Sequence, residues 1–425
     1  MIHVPIPDLI WVFGKIGLLS FGGPAAQIAL MHKELVEDHA WVSEQQFISA
    51  LSFCMLLPGP EAMQLATFSG WRLRGVAGGL IAGVLFVLPG AFVITALAVI
   101  YNYFGTVPLV ESAFLGIKAA VVIIVVQALL KLSQKALQSR FDYGLAVLAF
   151  VSIFLFALPF PVLIASAAVI GLIWAPARPL SPPMPTGRGA ASSASQTVWT
   201  VLFWGGLWGG PLLGLWLSGN TFLTAVGLFF SKLSLVTFGG AYAVLTYMTQ
   251  TVVTQFEWLS TTQMIDALGL AETTPGPLIL VTQFVAMQAG FKTGSLGLAL
   301  AAGGIALWMT FIPCFLWVFA GAPYFDRLSQ KPNLTAALSG VTAAIIGVIM
   351  NLSLWFALHI WFESNTMHSF GPIQILVPEL QTLVPASLAL TAIAAWALLK
   401  RGIGMATVLC SMAALGSAAS FTNLI

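Results

Sequence analysis

The sequence predicts an all-α polytopic membrane protein built from two inverted-topology repeats with broken or re-entrant helices. Three observations lead there. Of the 425 residues, 59% are hydrophobic and only 7% are charged, and the mean hydropathy is +0.97. Apolar runs of about twenty residues, the length that crosses a bilayer as a helix, recur along the whole chain. Third, the chain contains itself twice, with loop charges of opposite bias in the two copies.

The apolar runs are too long and uniform for barrel strands, so helices are expected. The net charge of +2 gives no reason to expect nucleic acid as a partner. Cys54, Cys314 and Cys410 stand far apart in apolar runs, without metal or disulfide spacing. The five histidines never fall at H-E-x-x-H spacing, and no G-x-x-x-x-G-K-[ST] loop occurs. Neither an enzyme, a metal site nor a cofactor is therefore expected. The start, "MIHVPIPDLIWVF", lacks the basic region of a cleaved signal peptide.

Residues 13–60 lie on residues 230–277 without a gap, and 18 of the 48 positions are identical. "FGKIGLLSFGG" meets "FSKLSLVTFGG"; Trp41 meets Trp258, Ser43 meets Ser260 and Gln46 meets Gln263. Pro58-Gly59-Pro60 meets Pro275-Gly276-Pro277. After a few inserted residues, Pro89 falls on Pro313, Gly116 on Gly340 and Gln127 on Asn351. The organisation is then a first repeat at 1–175, a Pro/Ser/Ala-rich solvated linker at 176–198, an extra apolar segment at 199–220 and a second repeat at 221–425. The loop after the 109–130 run holds Lys131, Lys135 and Arg140, whereas its counterpart at 362–372 holds no Lys or Arg. The turns at 104–108 and 158–161 hold none, but their counterparts carry Arg327 with Lys331 and Lys400 with Arg401. By the positive-inside rule the copies cross the membrane in opposite senses. The segment 199–217 spoils the parity of that inversion unless another segment is re-entrant.

Each copy breaks its own apolar runs twice. In hydrocarbon a broken helix survives only inside protein or beside a water-filled cavity. Gly22-Gly23-Pro24 and Pro58-Gly59-Pro60, with Gly239-Gly240 and Pro275-Gly276-Pro277, interrupt the ladder and favour a new helix just afterwards. A helix start offers unpaired N–H groups and about half a positive charge, which suits an anion. Ordinary kinks are the alternative reading. Lys15 and Lys232 occupy matched places in the first run of each copy, where a lysine costs roughly 2.5–3.5 kcal/mol and so faces a cavity or a partner. Snorkelling to an interface is the alternative. Ser20 and Thr237 are expected to donate hydrogen bonds to an oxyanion. Glu61 and Glu272, beside the two Pro-Gly-Pro turns, are candidates for proton coupling or for pairing with a lysine. Lys118, Gln127 and Asn351 are secondary candidates. Arg72 and Lys292 are expected as interfacial anchors, with attraction of anions the alternative, and Gly75, Gly79 and Gly83 as a double G-x-x-x-G packing face.

The "FGGP" and "PGP" elements, with Trp41 and the duplicated "FGG…PGP", resemble the chromate ion transporter (CHR) superfamily, and the resemblance covers both halves as in a long-chain, two-domain member. The resemblance implies a multi-pass protein of the bacterial inner membrane. It also implies secondary active efflux of chromate, a tetrahedral dianion resembling sulfate, with alternating access between the two sides. The expected partners are this inorganic oxyanion and the lipid bilayer, with a homodimer left open. The sequence departs from symmetry at Ala241, which stands where the first copy has Pro24, so the two breaks are not expected to be equivalent. An anion channel or a sulfate-type anion transporter would use the same broken helices. A non-transporting scaffold gives no reason for lysines in hydrocarbon.

Overall fold

The computed structural model describes residues 4–21, 23–105, 107–174, 194–238, 241–324, 331–371 and 373–421. It is helical almost throughout. In the first copy, α1 (Ile6–Leu19) starts behind Pro5 with Pro7 in its first turn, where a missing N–H is harmless. Then come α2 (Gly23–His32) with a π turn at Lys33–Asp38, α3 (Glu44–Cys54) and α4 (Glu61–Phe104). The copy closes with α5 (Pro108–Ala136), α6 (Arg140–Phe156) and α7 (Phe160–Trp174). α8 (Ala194–Leu217) precedes the second copy: α9 (Thr221–Val236), α10 (Ala241–Gln250) with a π turn at Thr251–Gln255, and α11 (Thr261–Thr273). A short 3-10 turn at Leu278–Leu280 leads into α12 (Val281–Thr293), α13 (Leu296–Gly321) and α14 (Pro332–Trp361). Strands β1 (Asn365–Phe370) and β2 (Ile373–Pro378), then α15 (Pro385–Ala395) and α16 (Met405–Phe421), complete the described chain.

The duplicated residues build duplicated local structure. Ser43 and Gln46 form a reciprocal capping box at the start of α3, and Ser260 and Gln263 form the same box before α11. The Trp41 N–H donates to the Leu35 carbonyl, and the Trp258 N–H donates to that of Val252. Just before each tryptophan a non-glycine residue takes a left-handed backbone, Ala40 at φ 48° and Glu257 at φ 50°.

Contacts divide the chain into two compact units. One is drawn from Met1–Ala98, Pro176–Val244 and Thr274–Thr335, the other from Val99–Ala175, Leu245–Thr273 and Ala336–Ile425. Each takes segments from both copies. Among the described residues, five helices are long and apolar enough to cross a membrane: α4, α5, α8, α13 and α14.

In the first unit, α4 folds back on itself at Arg74 (φ −144°, ψ 24°) and Gly75 (φ 62°, ψ −153°). The two arms press together at Gly70 and Gly78, where a Cβ on either would lie 2.3 Å from the other's carbonyl oxygen. Gly75 is thus the reversal and not part of a packing stripe, because its left-handed φ ends the helix there. The other two glycines of the expected face do pack closely, Gly79 against Phe319 and Gly83 against Thr67 and Phe315. Arg72 and Lys292 stand in the last turns before the reversals at Arg74–Gly75 and Gly294, where a cation complements the helix dipole.

The extra apolar segment is the helix α8, packed on α9 and α13 of the same unit. It begins at Ala194, so the last residues of the 176–198 linker are helical; residues 176–193 lie outside the described residues. Pro211 lacks the N–H that would pair with the Leu207 carbonyl. The Trp308 indole N–H donates to that carbonyl instead, at 2.7 Å.

In the second unit α5 packs on α11, α15 and α16. Gly116 touches the backbone of α16 at Met412, and Gly171 of α7 meets Gly340 of α14. The antiparallel hairpin β1–β2 turns at Gly371 (φ 63°) and packs on α6. Its first strand lies in the 362–372 stretch, without Lys or Arg, that the sequence reads as a loop. The departure from all-α structure arises because short strands outside the apolar runs can pair without a bilayer's constraint.

Removing the Trp308 donor that serves the Leu207 carbonyl gives the first test. Trp308→Phe is expected to lower the unfolding temperature of detergent-solubilised protein by the equivalent of about 1 kcal/mol, because a carbonyl loses its partner. Adding Pro211→Ala restores a backbone N–H to Leu207, and the double variant is expected to recover most of the loss.

Candidate functional site

Both breaks of each copy have ends in the first unit, and the backbone there joins the two copies reciprocally. Pro58-Gly59-Pro60 carries a single N–H, that of Gly59, and it donates to the carbonyl of Thr237 at 2.7 Å. Pro275-Gly276-Pro277 likewise has only the Gly276 N–H, which donates to the carbonyl of Ser20 at 2.9 Å. Ser20 and Thr237 are repeat-related positions, as are Gly59 and Gly276. The logic is local. Pro24 lacks the N–H that would have reached back four residues to the Ser20 carbonyl, so that carbonyl needs an outside donor. α1 therefore stops at Ser20, and α2 restarts at Gly23 with φ 76°.

This pairing corrects one expectation. The Gly59 and Gly276 N–H groups are not among the unpaired donors that the breaks are expected to offer an anion, because each donates to a carbonyl of the other copy. Glycine is required for another reason. Gly59 has φ 123° and Gly276 φ 83°, and a Cβ at Gly59 would lie 2.8 Å from both Cys314 Sγ and Gln64 Nε2. The prolines frame the turns: Pro58 and Pro60 carbonyls accept from the Gln64 side chain and backbone, and the Pro277 carbonyl accepts from Leu280. The Pro275 carbonyl lies against Gly90 of α4. Beyond the breaks stand the starts of α2, α4, α10 and the 278–280 turn. Gly22, Gly239 and Gly240 lie outside the described residues.

The two hydroxyls differ. Ser20 is 1% exposed and its Oγ has no hydrogen-bond partner among the described residues. Thr237 is equally buried, but its hydroxyl donates to the Leu233 carbonyl of its own helix. The expectation of a second free donor at Thr237 is therefore corrected. Two glutamines that the sequence reading passed over sit at the same place. Gln27 Nε2 donates to the Gly276 carbonyl at 2.6 Å, and Gln64 Nε2 donates to the Pro58 carbonyl at 2.7 Å. Both are buried, and both Oε1 atoms lack a partner among the described residues. Each stands four residues into a stretch that restarts after a break, Gln27 after Gly23 and Gln64 after Pro60, which is the signal that points to them.

The lysines also part company. Lys15, 40% exposed, pairs at 2.7 Å with Glu34, which is 3% exposed. In the second copy Thr251 replaces Glu34; Lys232 is exposed and makes no ion pair among the described residues. Glu61 opens α4 in the first unit, while Glu272 is buried on α11 in the second. Lys118, half-buried Gln127 and buried Asn351 also belong to the second unit, and Lys118 is paired there with Asp266. Metal-type clusters are absent among the described residues.

The lysine pair separates by experiment. Lys15→Ala leaves the Glu34 carboxylate buried without its cation, so lower abundance in the membrane is expected, restored by adding Glu34→Gln. Lys232→Ala is expected to leave abundance unchanged. Immunoblots of membranes from the three variants check this.

The comparisons with known proteins fit this duplicated arrangement. The chromate transporter family model matches residues 7–172 and 224–419, one stretch in each copy. A chromate transport protein of Cupriavidus metallidurans is 31% identical over 355 residues, 80% of each chain. A probable chromate transport protein of Synechococcus elongatus is 31% identical over 349 residues, 81% of this chain and 82% of its own. A chromate transport protein of Pseudomonas aeruginosa is 31% identical over 354 residues, 81% of this chain and 79% of its own. No solved structure matches the chain. With both copies matched, the chain belongs to the chromate transporter family and is a multi-pass bacterial membrane protein.

Proposed function

We propose that this protein is a secondary active transporter that exports chromate across the inner membrane by alternating access. The carrying observation is the reciprocal backbone pairing of the breaks, Gly59 to Thr237 and Gly276 to Ser20. Incidental kinks have no reason to pair crosswise between copies. The relatives named as chromate transport proteins give the anion its identity.

In this reading the crossed turns are the frame, and the anion lies beside the helix starts that follow them. Partial positive charge at Gly23, Glu61, Ala241 and Leu278 offsets the dianion, the Ser20 hydroxyl donates to it, and Gln27 and Gln64 accept from its water shell. A dianion leaving water needs such fixed partners. Lys15 contributes a full charge when Glu34 yields it. Glu61 and Glu272, and the amides Gln127 and Asn351, keep the supporting roles expected from sequence, and Lys232 is retained only as an outer contact. The copies are inverted in the membrane in this reading, which the opposed loop charges support.

Everted membrane vesicles test the function. Radiolabelled chromate is expected to accumulate above its outside concentration, with sulfate competing, and to run down when the ion gradients are collapsed. Rapid equilibration without accumulation would make the protein an anion channel. Uptake of sulfate unaffected by chromate would make it a sulfate-type transporter. Gly59→Ala and Gly276→Ala, which force a side chain into left-handed backbone at a cost of about 1–2 kcal/mol, are expected to abolish accumulation. Orientation has its own check. Cysteines placed at 131–140 and at Lys331 are both expected to resist an impermeant thiol reagent added to intact cells; labelling of only one contradicts the inverted arrangement.

A further inference from the structure

The second unit holds a buried charge cluster that anion binding at the breaks leaves unused. α11 approaches α5 closely at Gly269, where a Cβ would lie 2.7 Å from Ile117. One turn earlier on α11, Asp266 is brought to Lys118 of α5. Asp266 Oδ1 lies 3.2 Å from Lys118 Nζ, and the two side chains are 6% and 16% exposed. The hydroxyl of Tyr101, at the end of α4, donates to Asp266 Oδ2 at 2.7 Å. The tyrosine ring is held edge-on by Phe114 of α5. Glu111, two turns before Lys118 on α5, is exposed.

The repeat does not carry these charges in duplicate. The gap-free repeat places Ser49 at the position related to Asp266, and the later register places Thr342 at that of Lys118. Both are neutral. A buried ion pair gives little net stability, and ionisable side chains within a membrane protein mark ion and proton pathways. We propose that Asp266 is a proton-binding site that couples anion movement to the proton gradient, with Lys118 and Tyr101 as its partners. This rests on the reading of the chain as a gradient-driven chromate transporter.

The cycle balances simply. In one state the carboxylate is ionised, paired with Lys118 and hydrogen-bonded by Tyr101. A hydronium ion on one side of the membrane gives a proton to Asp266 and leaves as water. Protonation releases Lys118 from its partner, and in this state the protein crosses without the anion, which binds and crosses the opposite way with the carboxylate ionised and the pair closed. When the protein faces the other side, the proton passes to water there and the pair closes again. One proton enters and one leaves; no bond other than O–H changes.

Full-length protein reconstituted in liposomes provides the test, with radiolabelled chromate as the probe. In Asp266→Asn, accumulation driven by an imposed pH gradient is expected to be lost, and chromate–chromate exchange, which moves no net proton, to survive. Exchange in the variant is also expected to lose the pH dependence seen in wild type. Accumulation retained by Asp266→Asn, or exchange and accumulation reduced equally per inserted molecule, would overturn the proposal. So would accumulation lost in Glu61→Gln or Glu272→Gln but kept in Asp266→Asn. If Asp266→Asn fails to insert, Asp266→Asn with Lys118→Gln removes both charges at once and is read by the same outcomes. Wild-type protein without exchange or accumulation would instead sink the transporter reading itself.

Discussion

Everything at the centre of the first unit follows from one constraint: a backbone N–H or C=O in an apolar interior must find a partner. Two prolines leave each Pro-Gly-Pro turn with one N–H, and each broken first helix leaves one carbonyl without its usual donor. The chain solves both shortages together by crossing them, Gly59 to Thr237 and Gly276 to Ser20. Neither copy can complete its breaks alone. Mutual completion of this kind explains why the residues around both breaks are the most alike between the copies, while the later helices have drifted. It also fixes where the helix starts of α2, α4 and the 278–280 turn sit relative to one another.

Upon that shared frame the copies have diverged in chemistry. Pro24, Gln27 and Glu34 of the first copy face Ala241, Val244 and Thr251 in the second. The first copy thus keeps the amide, the buried carboxylate and the paired lysine, and the second keeps apolar or hydroxyl side chains. The charge cluster of the second unit is equally one-sided, with Asp266 and Lys118 matched by Ser49 and Thr342. Duplication supplied a frame, and the binding and coupling groups differ between its halves.

Much of this was legible in the sequence. Helix class, the two breaks per copy and the register between copies came from apolar length and self-similarity alone. The shared Trp, Ser and Gln of the repeat turned out to be a capping box and a turn, a local pattern that sequence carries directly. What could not be seen was pairing across long separations. The occupied N–H groups of Gly59 and Gly276, the Thr237 hydroxyl bonded to Leu233, and the partners of Lys15 and Lys118 all depend on which segments meet in space. The β1–β2 hairpin escaped because its strands lie outside the apolar runs that guided the reading.

The central claim is that the crossed breaks frame the anion site. Chromium scatters anomalously, so crystals of the protein soaked in chromate would locate the anion directly. The account expects an anomalous peak in the first unit, within hydrogen-bond reach of Ser20 Oγ and beside the starts of α2 and α4. A peak at Lys232 or elsewhere, with the helix starts at the breaks bare, would contradict it.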